Sequence, residues 1–222
     1  MSESSVLHRK SKRHPTRPRV KRFLKEIRPG VQDRFRFLGA FLRRPACVGA
    51  LAPSSRRLAL EMIEGCGLAT CDTVVELGPG TGAFTGPILE GIGKTTTFFA
   101  MELDPALSKG LRNRFPALIV YNDSAERIQD YLGRHGKERA DYIISGLPWA
   151  SLPLKVQDNI LREVLSSLAP GGLFITFGYL HARWMPNALR FRRKLEQHFT
   201  RVEPSGPIWG NFPPAFVYRC TR

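Results

Sequence analysis

Short apolar runs alternate with amphipathic stretches from about residue 54 to the end of the chain. Apolar runs that are bounded by Gly, Pro, Asn or Asp predict buried strands. The predicted strands are Thr73–Leu77, Thr96–Met101, Leu118–Tyr121, Tyr142–Ser145, Leu173–Tyr179 and Ala215–Cys220. The first five are short enough, and apolar enough at consecutive positions, to be covered on both faces.

The stretches between these strands carry apolar residues at helical spacing. They predict a helix that begins after Ser54-Ser55, and further helices at Phe84–Leu89, Pro105–Phe115, Ala125–Leu132, Val156–Leu168 and Leu189–Phe199. Strands that alternate with helices in this way form a parallel sheet with helices on both faces. We therefore predict an α/β fold whose ligands bind at the carboxyl ends of the strands.

The first 45 residues differ from the rest in charge. They hold fourteen Lys and Arg and three acidic residues, a formal charge of +11 out of +15 for the whole chain. Residues 1–22 are polar and predict a disordered basic arm. In residues 23–45, Phe35, Leu38 and Phe41 recur at helical spacing among arginines, which predicts a basic amphipathic helix.

Two roles are open for this amphipathic segment. It can pack on the domain that follows, or it can lie on an anionic membrane with its aromatic residues inserted and its arginines at the headgroups. In either case the excess of positive charge favours an anionic partner, which is a membrane surface or a nucleic acid.

The four cysteines stand at positions 47, 66, 71 and 220, without a CxxC pair. This spacing argues against a disulfide scaffold and against a zinc site, so we expect reduced thiols and no bound metal. The N-terminus lacks the apolar stretch of a signal peptide. These features predict a cytoplasmic location.

The strongest motif is a glycine loop at residues 74–82, which read VVELGPGTG. It follows a predicted strand and leads into a predicted helix, and glycines allow such a backbone to turn sharply and approach a ligand closely. The glycine spacing is G-x-G-x-G. It differs from the G-x-G-x-x-G of dinucleotide loops and from the P-loop, which ends in Gly-Lys-Ser/Thr.

Three acidic residues follow the predicted strands. Glu102, twenty residues after Gly82, can accept both hydroxyls of a ribose, or it can be a surface acid. Asp123 can accept from an adenine amino group, or it can cap the next helix. Glu76 stands where it would face the amino-acid part of a ligand, or it can be a structural acid.

This glycine loop, followed by an acid at the second strand end, resembles the class I S-adenosylmethionine-dependent methyltransferases over about residues 45–222. The resemblance implies a Rossmann-like, mostly parallel sheet of seven strands, of which the last is antiparallel. It implies S-adenosyl-L-methionine as cofactor and a methyltransferase domain at 46–222. The implied donor site collects residues from several strand ends: Glu76, Gly78, Gly80, Gly82, Glu102, Leu103, Asp123, Ser124, Ser145, Ser54 and Ser55.

The loop after the fourth strand reads SGLPW at residues 145–149. It resembles the acceptor loop of adenine and amide methyltransferases, in which an Asn or Asp holds the amino group and an aromatic residue stacks on the flipped base. Here Gly146 takes the place of that Asn or Asp, which argues against a base as substrate. The aromatic position is Trp149, for which packing is the alternative role.

Two further segments, 49–55 and 211–216, complete a resemblance to the bacterial peripheral phospholipid N-methyltransferases over most of residues 40–222. It implies an enzyme on the inner face of the membrane that methylates phosphatidylethanolamine and its methylated intermediates. Other aminolipids such as ornithine lipids stay open as substrates, and so does N6-methylation of an RNA adenine, although nucleic acid is the less favoured partner. Nothing in the sequence indicates an oligomeric state.

Three residues are candidates for the catalytic side of the site. Tyr179, at the carboxyl end of the fifth strand, can orient the amine or form a pocket wall, and His181 is the second choice. A methylated ammonium also favours aromatic walls through cation–π contact, which Trp149 and Tyr179 can supply.

Overall fold

A sheet of seven strands organises residues 54–222, which are the residues that the computed structural model describes. The strands are β1 (Thr73–Leu77), β2 (Thr97–Met101), β3 (Ile119–Tyr121), β4 (Ala140–Ser145), β5 (Leu168–Tyr179), β6 (Arg201–Pro204) and β7 (Ala215–Thr221). Their order across the sheet is β3-β2-β1-β4-β5-β7-β6. Strands β1 to β5 are parallel, and β7 is antiparallel to β5 and β6. The predicted Rossmann-like α/β class with an antiparallel last strand is confirmed.

Six α-helices lie in residues 54–222: α1 (Arg56–Ile63), which precedes β1, and five that connect successive strands, α2 (Thr85–Gly91), α3 (Pro105–Arg114), α4 (Ile128–Arg134), α5 (Leu154–Ser167) and α6 (Pro186–His198). Short 3₁₀ turns lie at Ala125–Arg127, Trp149–Ser151 and Leu180–Ala182. Local capping explains where two helices begin. The Ser55 hydroxyl accepts from the Leu58 amide at the start of α1, and the Asp104 carboxylate accepts from the Ala106 and Leu107 amides at the start of α3.

The helices cover both faces of the sheet. Val75 and Phe174 lie in one core with residues of α4, α5 and α6, whereas Val74 and Ile144 lie in the other with residues of α1, α2 and α3. Successive residues of a strand point to opposite faces of the sheet. A strand that is covered on both faces therefore needs apolar residues at consecutive positions, one for each core. Each of these buried side chains stabilises the fold by roughly 1.5–3 kcal/mol.

Two parts of the sheet differ from the prediction. Strand β6 was not predicted, because its sequence RVEP has little apolar character and ends in proline. Within residues 54–222 it pairs with β7 alone. Strand β5 begins at Leu168 instead of Leu173. A register shift opposite β4 lets Pro170-Gly171 protrude as a bulge within the strand.

The carboxyl ends of β1 to β5 meet at one edge of the sheet, and the start of β7 lies there too because Ala215 pairs with Tyr179. The predicted basic arm (1–22) and amphipathic segment (23–45) lie outside the described residues. None of the helices in residues 54–222 is long and apolar enough to cross a membrane.

Candidate active site

The glycine loop leaves β1 at this edge and passes over the end of the sheet. Gly78, Gly80 and Gly82 have φ angles of +63°, +59° and +85°, which place them in the left-handed region. A Cβ on Gly78 would lie 2.5 Å from the Leu147 side chain of the acceptor loop. The loop therefore packs closely on the β4 end, and a larger residue at position 78 would push the two apart.

Glu102, at the end of β2, is 1% exposed and fastened at both oxygens. Its Oε2 accepts from the Gly80 amide at 3.0 Å, and its Oε1 accepts from the Asp104 amide at 2.9 Å. Burial raises the pKa of this carboxyl, although the hydrogen bonds from Asp104 and Gly80 act in the opposite direction. The predicted ribose acceptor is thus held between the glycine loop and the start of α3.

Glu76 is fully buried in β1 beneath the glycine loop. Its Oε2 accepts from the Thr85 hydroxyl at 2.7 Å, while its Oε1 has no hydrogen-bond partner among the described residues. Burial, opposed by the Thr85 bond and reinforced by Glu102, raises the pKa of Glu76 to about 8. A buried carboxyl oxygen without a partner, under a loop of three glycines, fits a ligand that carries a positive charge.

Asp123 and Ser124 follow β3 at the same edge. Ser124, and not Asp123, caps the next turn, by accepting from the Glu126 amide. Asp123 Oδ2 accepts from the Arg127 guanidinium and the Tyr131 hydroxyl, each at 2.7 Å. Burial raises the pKa of Asp123, but these bonds and that from the Ser124 amide outweigh burial and lower it. The carboxylate is therefore ionised, and the helix-cap alternative is removed.

A side-chain amide joins the loop that follows β2 to the loop that follows β3. Asn122 donates through its Nδ2 to the carbonyls of Glu102 and Leu103, at 2.8 and 3.0 Å. Leu103 itself is partly buried. The residues that were predicted to hold ribose and adenine are thereby fixed to one another.

The acceptor loop begins at Ser145, which is fully buried at the end of β4. Its hydroxyl accepts from the Trp149 indole at 3.0 Å. The Trp149 ring, 2% exposed, stacks on Phe191 at 4.8 Å and meets Phe174 edge-on at 5.6 Å. This geometry favours the packing alternative: Trp149 positions the loop, and its ring lies in the core instead of lining an open pocket.

Gly146 packs directly on the glycine loop. A Cβ at this position would lie 2.6 Å from the Gly78 carbonyl oxygen and 3.5 Å from the Phe84 ring. Contacts this close leave no room for a side chain, so the loop cannot carry the Asn or Asp of the adenine and amide enzymes in this conformation.

Aromatic rings line the other side of this edge, at the end of β5. Phe177 meets Phe84 edge-on at 5.6 Å and Tyr179 edge-on at 5.5 Å, and Tyr179 stacks on the exposed His181 at 5.8 Å. Burial raises the pKa of Tyr179. Phe84 and Phe177 were not predicted as site residues. The signal for Phe177 was its position two residues before Tyr179, on the same face of the strand.

Ser54 and Ser55 lie where α1 meets the loop before β7. The Ser55 amide donates to Asn211 Oδ1 at 2.8 Å, and Asn211 Nδ2 donates to the Pro213 carbonyl at 2.7 Å. Asn211 was missed as a single residue, although its segment was singled out. The described parts of the two segments that carried the second resemblance, 54–55 and 211–216, are therefore in contact.

No family model matches this chain. The chain is 32% identical over 194 residues to the ornithine lipid N-methyltransferase of Singulisphaera acidiphila. This alignment covers 86% of this chain and 96% of the relative. It is also 30% identical over 116 residues to the ribosomal RNA small subunit methyltransferase A of Psychrobacter cryohalolentis. That alignment covers 50% of this chain and 38% of the relative.

Among solved structures, the N-methyltransferase NodS of Bradyrhizobium japonicum superimposes with a TM-score of 0.59 at 14% identity. The superposition covers 75% of this chain and 93% of NodS, and it supports the fold alone. The sheet order, the glycine loop with Glu102 and the similarity over nearly the whole length of the first relative agree. This chain belongs to the class I S-adenosylmethionine-dependent methyltransferases, with S-adenosyl-L-methionine as its cofactor.

Proposed function

We propose that this methyltransferase acts on the amine of a membrane lipid. The observation that carries the proposal is the Gly146 contact with the Gly78 carbonyl, because it leaves no side chain at the acceptor-loop position that would hold the amino group of a base. The aromatic row beside it, formed by Phe84, Phe177 and Tyr179, suits an amine that becomes a methylated ammonium.

When it is bound, S-adenosylmethionine supplies an electrophilic methyl group on a sulfonium. An alkyl ammonium with a pKa near ~10 is only about 0.1% neutral at pH 7, which is a handicap of roughly 4 kcal/mol for an attack through its lone pair. An apolar surrounding lowers the pKa of an ammonium, because it disfavours the charged form. The acceptor side of this edge, which is aromatic and partly buried, would do this while Tyr179 orients the amine.

Two lipid headgroups are the candidates. Phosphatidylethanolamine and its methylated intermediates are implied by the resemblance of the sequence motifs. An ornithine lipid is favoured by the relative from Singulisphaera acidiphila, which is named for that substrate. Both headgroups present an amine at a membrane surface, and we place the enzyme at the inner face of the membrane. Each basic residue of the first 45 would contribute roughly 1 kcal/mol near such an anionic surface.

An RNA adenine is the second candidate, since the chain shares part of its sequence with a ribosomal RNA methyltransferase and its first 45 residues carry a charge of +11. Those cations would then neutralise phosphates. The absence of an Asn or Asp at Gly146 weighs against this candidate.

The headgroup can be tested with purified protein, radiolabelled donor and two sets of anionic vesicles, of which one contains phosphatidylethanolamine and the other an ornithine lipid. Chromatography of the extracted lipids identifies the product. We expect label in at least one of the two lipids, and about ten- to a hundredfold less label with the Glu102→Ala variant when the donor is held below its Kd. Label in neither lipid, from a protein that binds the donor, would overturn the proposal.

A further inference from the structure

Four large apolar side chains are exposed near the active-site edge. Trp184 and Met185, in the loop between β5 and α6, are 74% and 53% exposed, and Trp209 and Phe212, in the loop between β6 and β7, are 72% and 78% exposed. We call these four residues the apolar rim. Single exposed apolar residues are common on soluble proteins, but a contiguous group of them with a polar border marks an interaction site.

The two loops of the rim adjoin one another. Leu180 donates its amide to the Pro214 carbonyl at 2.9 Å, directly beyond the pairing of Tyr179 with Ala215. The Arg183 guanidinium lies 5.6 Å from the Trp184 ring and 5.5 Å from the Phe216 ring, so it bridges the β5 and β7 sides. The rim therefore borders the aromatic row that ends at Tyr179.

The sequence around the rim is rich in cations. Residues 179–195 contain five Arg and Lys and no acidic residue, and residues 204–222 contain no acidic residue either. Two of these five cations are neutralised by ion pairs, Arg192 with Glu196 and Lys194 with Asp158, which leaves Arg183, Arg190 and Arg193. Such a surface, apolar at its centre and cationic at its border, is complementary to an anionic bilayer, where aromatic residues reach the acyl boundary and cations meet the headgroups.

The first described residues lie beside the rim. The Ser55 amide donates to Asn211 Oδ1, and Asn211 stands between Trp209 and Phe212 in sequence. The start of α1 is therefore next to the loop that carries these two exposed aromatic residues.

We propose that the apolar rim docks the enzyme on an anionic phospholipid bilayer, with Trp184, Trp209 and Phe212 inserted at the interface and the acceptor side of the active site facing the lipid. This inference rests on the proposed function only in that both concern a membrane lipid. It assigns a docking surface to the domain itself, separate from the predicted amphipathic segment at 23–45.

The chain offers its own fluorescence control, because its three tryptophans are Trp149, Trp184 and Trp209, and Trp149 is buried. Full-length variants that keep one tryptophan and carry Phe at the other two positions would be mixed with phosphatidylglycerol vesicles that contain brominated acyl chains. We expect quenching and a blue shift for Trp184 and for Trp209, and no change for Trp149. Vesicle binding without quenching of Trp184 or Trp209 would overturn the inference, and so would blue-shifted emission from both before vesicles are added, because the rim would then be covered by the chain itself.

A second variant tests the energetic role. The triple change Trp184→Ser, Trp209→Ser and Phe212→Ser should weaken partitioning into these vesicles at least about tenfold. The control is Ile119→Ser, which removes an apolar side chain that is 46% exposed at the start of β3, on the opposite edge of the sheet. Unchanged partitioning of the triple variant would contradict the inference.

These outcomes are separable from the proposed function. Donor binding by calorimetry should be the same in the triple variant and in the unaltered protein. A protein that docks through the rim but labels no lipid would overturn the proposed function and leave the docking surface standing. Methylation of vesicle lipid without quenching of Trp184 and Trp209 would support the proposed function and overturn the docking surface.

Discussion

The two halves of the active-site edge are built from different interactions. On the side of β1, β2 and β3, nearly every functional group is fixed by a polar contact, from the Gly80 amide on Glu102 to the Tyr131 hydroxyl on Asp123. On the side of β4, β5 and β7, the contacts are mostly between aromatic rings, and the outermost residues, such as Trp184 and Trp209, are exposed.

The difference indicates how each substrate is recognised. A donor that is small, polar and charged requires hydrogen-bonding groups held in place before it binds. An acceptor that is presented by a membrane requires an apolar opening, with specificity left to a few groups near the reacting amine. The following predictions test this division between a polar donor half and an apolar acceptor half.

The largest effect is expected from Glu102→Ala, in the donor half. Removal of the carboxylate takes away the predicted ribose acceptor and leaves the Gly80 and Asp104 amides without their partner. A hydrogen bond to a charged group is worth about 1.5–3 kcal/mol, so donor affinity should fall about ten- to a hundredfold. Calorimetric titration with S-adenosylmethionine measures the loss. Glu138→Ala, an exposed position, is the control, and equal affinity for both variants would remove the ribose assignment.

The boundary between the halves is tested by Gly146→Ala. The added Cβ would meet the Gly78 carbonyl oxygen at 2.6 Å, and overpacking of this kind costs about 1–3 kcal/mol. The thermal midpoint should fall by several degrees. The matched control is Gly110→Ala in α3, where a Cβ would have no neighbour within 4 Å among the described residues. Its midpoint should stay the same or rise slightly. Equal thermal midpoints for the two variants would contradict the close contact between Gly146 of the acceptor loop and Gly78 of the glycine loop.

A pH effect is expected from Glu76, whose pKa rises from 4.5 to about 8 on folding. Below pH 4.5 the carboxyl is protonated in both states and costs nothing. As the pH rises towards 8 the unfolded state loses this proton more easily, so the unliganded protein is destabilised by up to a few kcal/mol. Glu76→Gln removes this titration. Its thermal midpoint should match that of the unaltered protein near pH 5 and exceed it near pH 8.

The control for that experiment is Glu138→Gln, whose midpoint should run parallel to that of the unaltered protein across the same range. A midpoint difference for Glu76→Gln that stays constant from pH 5 to pH 8 would show that Glu76 is not buried in the way described.

The smallest effect is expected in the acceptor half, from Tyr179→Phe. Because burial raises the pKa of Tyr179, its hydroxyl stays protonated at neutral pH and acts as a hydrogen-bonding group. Its removal should lower kcat on the lipid about three- to tenfold and leave the KM for the donor unchanged. His181→Ala should change kcat by less than about twofold, since the imidazole is exposed. Full activity of Tyr179→Phe would show that the hydroxyl does not orient the amine and would leave Tyr179 the role of a pocket wall.

The donor half was more predictable from sequence than the acceptor half. A strand that ends in three glycines, and an acid twenty residues later, are local patterns with few structural alternatives, and the chain places Gly78, Gly80 and Glu102 together as expected. In the acceptor half, Trp149 was a candidate for contact with substrate, but its ring packs on Phe191, which is 42 positions away in sequence. Contacts of that kind depend on how helices pack and leave no local pattern.

Strand β6 and Asn211 escaped prediction for related reasons. The RVEP sequence has little apolar surface, and its pairing with β7 is decided at the edge of the finished sheet. Asn211 acts by joining Ser55 to the loop before β7, across 156 positions of the chain.

Competition between lipid and RNA in one reaction shows whether the methyl acceptor is a lipid amine. Radiolabelled S-adenosylmethionine would be added to the protein with anionic vesicles that contain both aminolipids and with an equal mass of total RNA, and the label would be counted in the organic and aqueous phases after extraction. We expect label in the organic phase, in a lipid that carries an amine, and none in RNA. Label confined to the RNA would contradict it, and would mean that the loop at Gly146 accepts a base and that the basic first 45 residues bind phosphates.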